Sequence, residues 1–218
     1  MRHITITLTE TKPKIRCYLT KSSSDKMKRL SVLVVAILGV LIFNACQSNT
    51  KNDSTARADS INAIKDTTTK LSIGVEKVDA QFTVEAASGS MAEVELGKLA
   101  QKKGISKQVK NFGTMMIKDH SIINDEIKAL AVTKNISIPA IPGADEQKTI
   151  GKLSKKSGKD FDKAYINNMI EDHKNDIKVF ETASKKCLDP DVKSFAKKTL
   201  PILQEHLDAI NAIKESLK

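Results

Sequence analysis

The stretch "FGTMMIKDHSIINDEIKAL", Phe112 to Leu130, returns in altered form as "YINNMIEDHKNDIKVFETA", Tyr165 to Ala183. Both carry Met-x-x-Asp-His, and in both the apolar residues recur every three or four positions, the spacing of one face of an α-helix. Working outward, four segments of this kind emerge, at about 78–103, 106–134, 160–187 and 189–216. Gly104 breaks the first pair. Pro139, Pro142 and Gly143 follow the second segment, and Asp189 stands as a cap before Pro190 at a first helical position. A short helix is expected between Asp145 and Lys156. Two tight joints imply antiparallel neighbours, and the longer connection between the second and third segments links the two pairs. The predicted fold is all-α, a four-helix bundle made of two helical hairpins, with a short extra helix in the long connection. With no Trp and 4% aromatic residues, its core must be largely aliphatic.

One polar residue interrupts each apolar stripe. The first runs Phe82, Ala86, Gly89, Glu93, Leu96, Ala100 and the second Val109, Phe112, Met116, His120, Ile123, Ile127, Leu130. The third runs Ile166, Met169, His173, Ile177, Phe180 and the fourth Phe195, Thr199, Ile202, His206, Ile210, Ile213. Each of the four lies near mid-helix, so two hairpins should bring Glu93, His120, His173 and His206 to a similar depth. Burying such groups unpaired costs on the order of 1–3 kcal/mol each, so they need one another or an ion. Two readings stay open. One is a metal site with these four as ligands and Asp119, Asp172 and Glu205 steadying them from outside; the other is a metal-free polar core layer. The ion would be a divalent metal or copper, since Met116 and Met169 lie one turn before histidines, although methionines so placed usually fill the core. A di-iron centre is disfavoured, because Ile117, Ile170 and Leu203 stand where Glu-x-x-His would place glutamates.

The net charge of +10 invites a nucleic-acid partner, but it is unevenly spread. Residues 47–218 hold 28 basic and 24 acidic side chains, interleaved rather than gathered into a patch, so nucleic acid is excluded as a partner. The segment "MKRLSVLVVAILGVLIFNACQSN" has a basic start, an apolar run of about 14 residues and Ala45 before Cys46, the pattern of a secretory signal too short to span a membrane permanently. Residues 27–45 are therefore expected to be removed. Their ending resembles a bacterial lipoprotein signal, which implies acylation of Cys46 and a membrane partner through that anchor. Residues 1–26 precede the signal and are read as an upstream-start extension. Residues 46–77, rich in Ser, Thr, Asn, Asp and Lys, read as a flexible tether to a domain at 78–218. Beyond Cys46 only Cys187 remains, so no intramolecular disulfide is available.

From Asp79 to Ile213 the phrases "SMAEVELGKLAQKKGISKQVKNFGTMMIKDH", "FDKAYINNMIEDHKNDIKVFETASK" and "PDVKSFAKKTLPILQEHLDAI" resemble the family of domain of unknown function 4142. That resemblance implies a ferritin-like bundle of the bacterial cell envelope, often labelled an outer membrane protein, and no established activity. Glu93, His120, His173 and His206 sit at the family's motif positions. The expected function is that of a lipid-anchored helical bundle, periplasmic or at the outer membrane, binding a metal ion or protecting against stress without turnover. The alternative is a metal-free structural or interaction module of the envelope, with a copy of itself or an envelope protein as partner. Whether it is an enzyme stays open; no nucleophile-base pair, phosphate loop or cofactor fingerprint argues for one.

Overall fold

The computed structural model describes residues 53–67 and 73–217. The expectations for 1–26, for the signal at 27–45 and for Cys46 fall outside them. Every element among the described residues is an α-helix: α1 Ser54–Thr67, α2 Lys77–Lys103, α3 Lys107–Thr133, α4 Ala144–Ser154, α5 Gly158–Lys186 and α6 Pro190–Ser216. The four long helices fall within two residues of the limits that apolar spacing set. Local chemistry places their ends. Ser106 accepts from the Gln108 amide and Asp189 from those of Asp191 and Val192, satisfying helix donors that would otherwise lack partners. Helix α3 stops where Asn135 turns left-handed at φ 55° and the Ile136 amide reaches back to the Ala131 carbonyl. Helix α6 continues across Pro201.

Helices α2 and α3 pack along each other, as do α5 and α6, each pair joined by a short connection. At the α2–α3 contact Gly97 faces Gly113, and a Cβ on either would lie 2.7 Å from the other's carbonyl oxygen. Two buried acids tie the pairs together end to end. Asp162 of α5 accepts from the amides of Ile105 and Ser106 in the α2–α3 joint, while Asp79 of α2 accepts from Leu188 and Asp189 in the α5–α6 joint. Beside Asp79 lies buried Cys187, whose thiol burial and the carboxylate together push up to about 12, so it is inert.

The core divides into two apolar clusters. One contains Phe82, Ile123, Ile127, Phe180, Phe195 and Leu203; the other contains Leu96, Phe112, Met116, Tyr165, Met169 and Ile210. Along every long helix the change from one cluster to the other falls at its polar stripe residue: Glu93, His120, His173 or His206. The four thus occupy one layer, because antiparallel neighbours reverse the order in which each cluster is met.

The expected tether needs correction. Helix α1 lies within residues 46–77 and is seated on the long connection after α3. The Asn62 side chain donates to the Ser137 carbonyl and accepts from its amide at 2.9 and 2.7 Å, and the Ser54 hydroxyl donates to the Ile141 carbonyl. Only Ala58 and Asn62 of α1 are buried, so polar bonds hold it and no apolar stripe announced it. Among the described residues no helix is long and apolar enough to cross a membrane.

Candidate metal centre

Glu93, His120, His173 and His206 are all buried, and the structure brings them together. One ring nitrogen from each of the three histidines lies within 4.8 Å of the other two. Glu93 borders this group: its Oε2 is 2.8 Å from His120 Nδ1 and its Oε1 is 3.5 Å from His173 Nε2. Phe112 stands edge-on to both His173 and His206 and closes one side with hydrocarbon.

The protons can be assigned from partners that only accept. His173 Nδ1 is 2.9 Å from the Met169 carbonyl, so it carries the hydrogen and Nε2 carries the lone pair. His206 Nε2 is 3.1 Å from the Asp119 carboxylate, so it donates there and its Nδ1 bears the lone pair. The two lone-pair nitrogens, His173 Nε2 and His206 Nδ1, face each other at 3.3 Å. With Glu93 Oε1 also turned on His173 Nε2, acceptors converge where neutral rings supply no proton. On the other side His120 Nδ1 donates to Glu93, with the Ser90 oxygen 3.2 Å away, and His120 Nε2 is buried without a partner. The Glu93 carboxylate is hydrogen-bonded with the Asp176 carboxyl, and the buried Tyr165 hydroxyl has no partner.

This donor set fits a metal ion. Two imidazole nitrogens about 2.0–2.1 Å from a tetrahedral ion stand about 3.3 Å apart, the separation observed. Burial holds His206 down at about 4 despite its bond to Asp119, and burial also lowers His173 despite Glu93, so both rings offer lone pairs at neutral pH. Burial pushes Glu93 upward, but the surrounding histidines outweigh it and the group is a carboxylate well below its ordinary range. Metal-binding residues are otherwise costly here, as lone pairs and a carboxylate face one another in a buried layer.

The expected supporting acids have different fates. Asp119 steadies a histidine, but it is His206 on α6 rather than its own neighbour His120. Asp172 turns away from His173 and, with an Asn168 amide donating to it, lines a cavity of about 230 Å³ beside Glu93. Glu205 is exposed and stands outside the cluster, because one residue along α6 rotates it about 100° from His206. Missed altogether was Asp176, three residues past His173, which lines the same cavity and faces Glu93. Its position at i+3 from a core histidine was the available signal. Burial and the nearby Glu93 charge push Asp172 up to about 7 and Asp176 well above its ordinary value.

Fold and site together define an all-helical domain with three buried histidines able to hold a metal ion. The chain belongs to the family described as domain of unknown function DUF4142, whose model matches residues 66–213. No curated protein matches it. In fold it is similar to a DUF305 fragment from Deinococcus radiodurans, with a TM-score of 0.57 at 11% identity over 64% of this chain and 96% of that one. It is also similar to a DUF305 protein from Streptomyces coelicolor whose name calls it secreted, with a TM-score of 0.54 at 12% identity over 62% of this chain and 91% of that one. At such identities the likeness speaks to fold alone.

Proposed function

We propose that this protein is a ferritin-like four-helix bundle, anchored in the cell envelope through acylated Cys46, that binds a divalent or copper ion without turnover. His120, His173 and His206 are the ligands. Glu93 orients His120 and closes the site toward His173, and Asp119 sets the tautomer of His206. The observation that carries the reading is the pair of lone-pair nitrogens facing each other at 3.3 Å with no donor between them. A cation removes that repulsion; bound there, it would be held by neutral imidazoles and screened from solvent.

Metal should stabilise the folded protein by RT ln(1 + [L]/Kd), about 2.7 kcal/mol at a hundredfold excess over Kd. Binding should weaken as pH falls, since protons compete for imidazole. Melting curves of wild type and His173→Ala, with and without copper, zinc, manganese or ferrous iron, test this. Wild type should gain and the variant should lose the gain. If no ion raises the wild-type midpoint, a shared proton must separate the two nitrogens and the layer is a metal-free structural core. The anchor is tested apart from the site: Cys46→Ser should abolish lipid labelling, and persistent labelling would refute acylation there.

A further inference from the structure

Along the chain lysines alternate with acids, but the fold gathers them unequally at its two ends. One end is made of the α2–α3 joint, "QKKGISKQVK" from Gln101 to Lys110, and the start of α5, "KKSGKDFDK" from Lys155 to Lys163. Asp162 binds these stretches together through the Ile105 and Ser106 amides, and Lys103 Nζ donates to the Lys156 carbonyl at 3.2 Å. The Ser216 hydroxyl, bonded to the Gln108 side chain, brings the last turn of α6 to the same place, with Lys214 beside Glu215. The two quoted stretches carry eight lysines and two acids, and one of those acids, Asp162, is buried and answered by amides. Among the described residues none of the eight lysines is taken up in an ion pair. At the opposite end Lys134 is closed off by Asp189 and Asp191, each at 2.7 Å.

A groove of about 630 Å³ opens on the basic end, and Lys159, Lys163 and Lys214 line it together with Ile105, Ile166 and Leu217. Ile166 is buried, whereas Ile105 is 59% exposed and Leu217 46%, so large apolar side chains stand in water between cations. The lysine stems extend that apolar surface and carry the charge to its edge. Val132 and Leu188 are also exposed at the opposite end. Apolar exposure alone therefore chooses no face; its coincidence with the gathered lysines does.

We propose that this end docks on an anionic phospholipid bilayer, with a lipid headgroup in the groove among Lys159, Lys163 and Lys214 and with Ile105 and Leu217 entering the interface. The charges are complementary, since each lysine held near a negative bilayer surface raises affinity about fivefold. Two further features favour a bilayer over a nucleic acid. The quoted stretches hold no arginine, the residue whose rigid fork reads phosphates and base edges. Every aromatic ring among the described residues is buried, so none stands ready to stack on a base. A surface of fluid headgroups asks only for point charges and apolar side chains at one level. This assigns the membrane-facing end of the bundle; it adds to the reading of Cys46 and does not rest on it.

The chain has no tryptophan, so one placed on this face reports on it alone. The full chain carrying Cys46→Ser, which removes the acylation site, and Leu217→Trp is mixed with vesicles of phosphatidylglycerol and phosphatidylcholine, or of phosphatidylcholine alone. Emission should shift to the blue, and brominated acyl chains should quench it, with the anionic vesicles only. Leu188→Trp, used instead of Leu217→Trp, should report water throughout. Adding Lys159→Gln and Lys163→Gln should weaken the response to anionic vesicles at least tenfold, and raised salt should weaken it further. Both lysines are exposed in the first two turns of α5, and circular dichroism checks that the variant stays helical. No shift with anionic vesicles overturns the proposal, as does an equal shift in Leu188→Trp, an equal response to neutral vesicles, or a response indifferent to the two lysines. A response of Leu217→Trp to inorganic phosphate or duplex DNA that vesicles do not reproduce also overturns it, and gives the face to a soluble anion. Docking of the Cys46→Ser chain while wild type takes up no lipid label rejects the anchor and keeps the face. A labelled wild type whose Leu217→Trp form stays in water rejects the face and keeps the anchor.

Discussion

Asp162, buried, and Asp172, partly exposed, lie on the same helix, and their surroundings differ in kind. Asp162, near the start of α5, receives the amides of Ile105 and Ser106, the closer at 2.8 Å. Its charge closes the joint of the opposite helix pair. Asp172, at mid-helix, receives an Asn168 side chain and otherwise faces a cavity shared with Glu93, Asp176 and Glu146. One carboxylate is answered by backbone donors and is structural; the other stands among like charges and destabilises the protein unless a proton or cation joins it. Acids of one type, a few turns apart, thus separate into scaffold and site by their partners.

The largest expected effect comes from breaking the scaffold side. Asp162→Ala leaves two amides of the α2–α3 joint without acceptors and should destabilise by about 2–4 kcal/mol, read as a lower urea midpoint. A loss below about 0.5 kcal/mol, the size of a typical surface substitution, would show that Asp162 is no more structural than Asp172. A smaller effect of opposite sign is expected on the site side. The folded pKa of Asp172, about 7, lies above its ordinary 3.8, so the folded state holds a proton that the unfolded state releases between those values. Stability contributed by that proton is present below about pH 4 and is lost as pH rises toward 7. Metal-free Asp172→Asn should therefore be more stable than wild type at pH 8, on the order of 2 kcal/mol, and no more stable at pH 4. Thermal melts at the two pH values measure it; equal midpoints at pH 8 would place Asp172 with the scaffold acids.

The same contrast explains what could be read in advance. Helices α2, α3, α5 and α6 announce themselves because each buries a continuous apolar stripe, and a stripe has a period that survives in one dimension. Glu93, His120, His173 and His206 were legible as interruptions of that period. Helix α1 was not, because it is held by Asn62 and Ser54 bonding to the backbone of a distant connection, and such bonds leave no periodic mark. Asp79 and Asp162 escaped notice for the same reason: their partners lie 109 and 57 residues away.

By itself, then, the order of residues determined four amphipathic helices, the two tight joints that make them antiparallel, and the depth at which one glutamate and three histidines enter the core. Only the tertiary structure decided which nitrogen of each ring points inward, that Asp119 serves His206 on another helix, that Glu205 stays outside, and that Asp176 and Asp172 share a cavity with Glu93. The physical reason is directional. Burial of an apolar face needs only the right period, whereas a hydrogen bond or a metal ligand needs an atom at a given distance and angle, and those are set by how one helix crosses another.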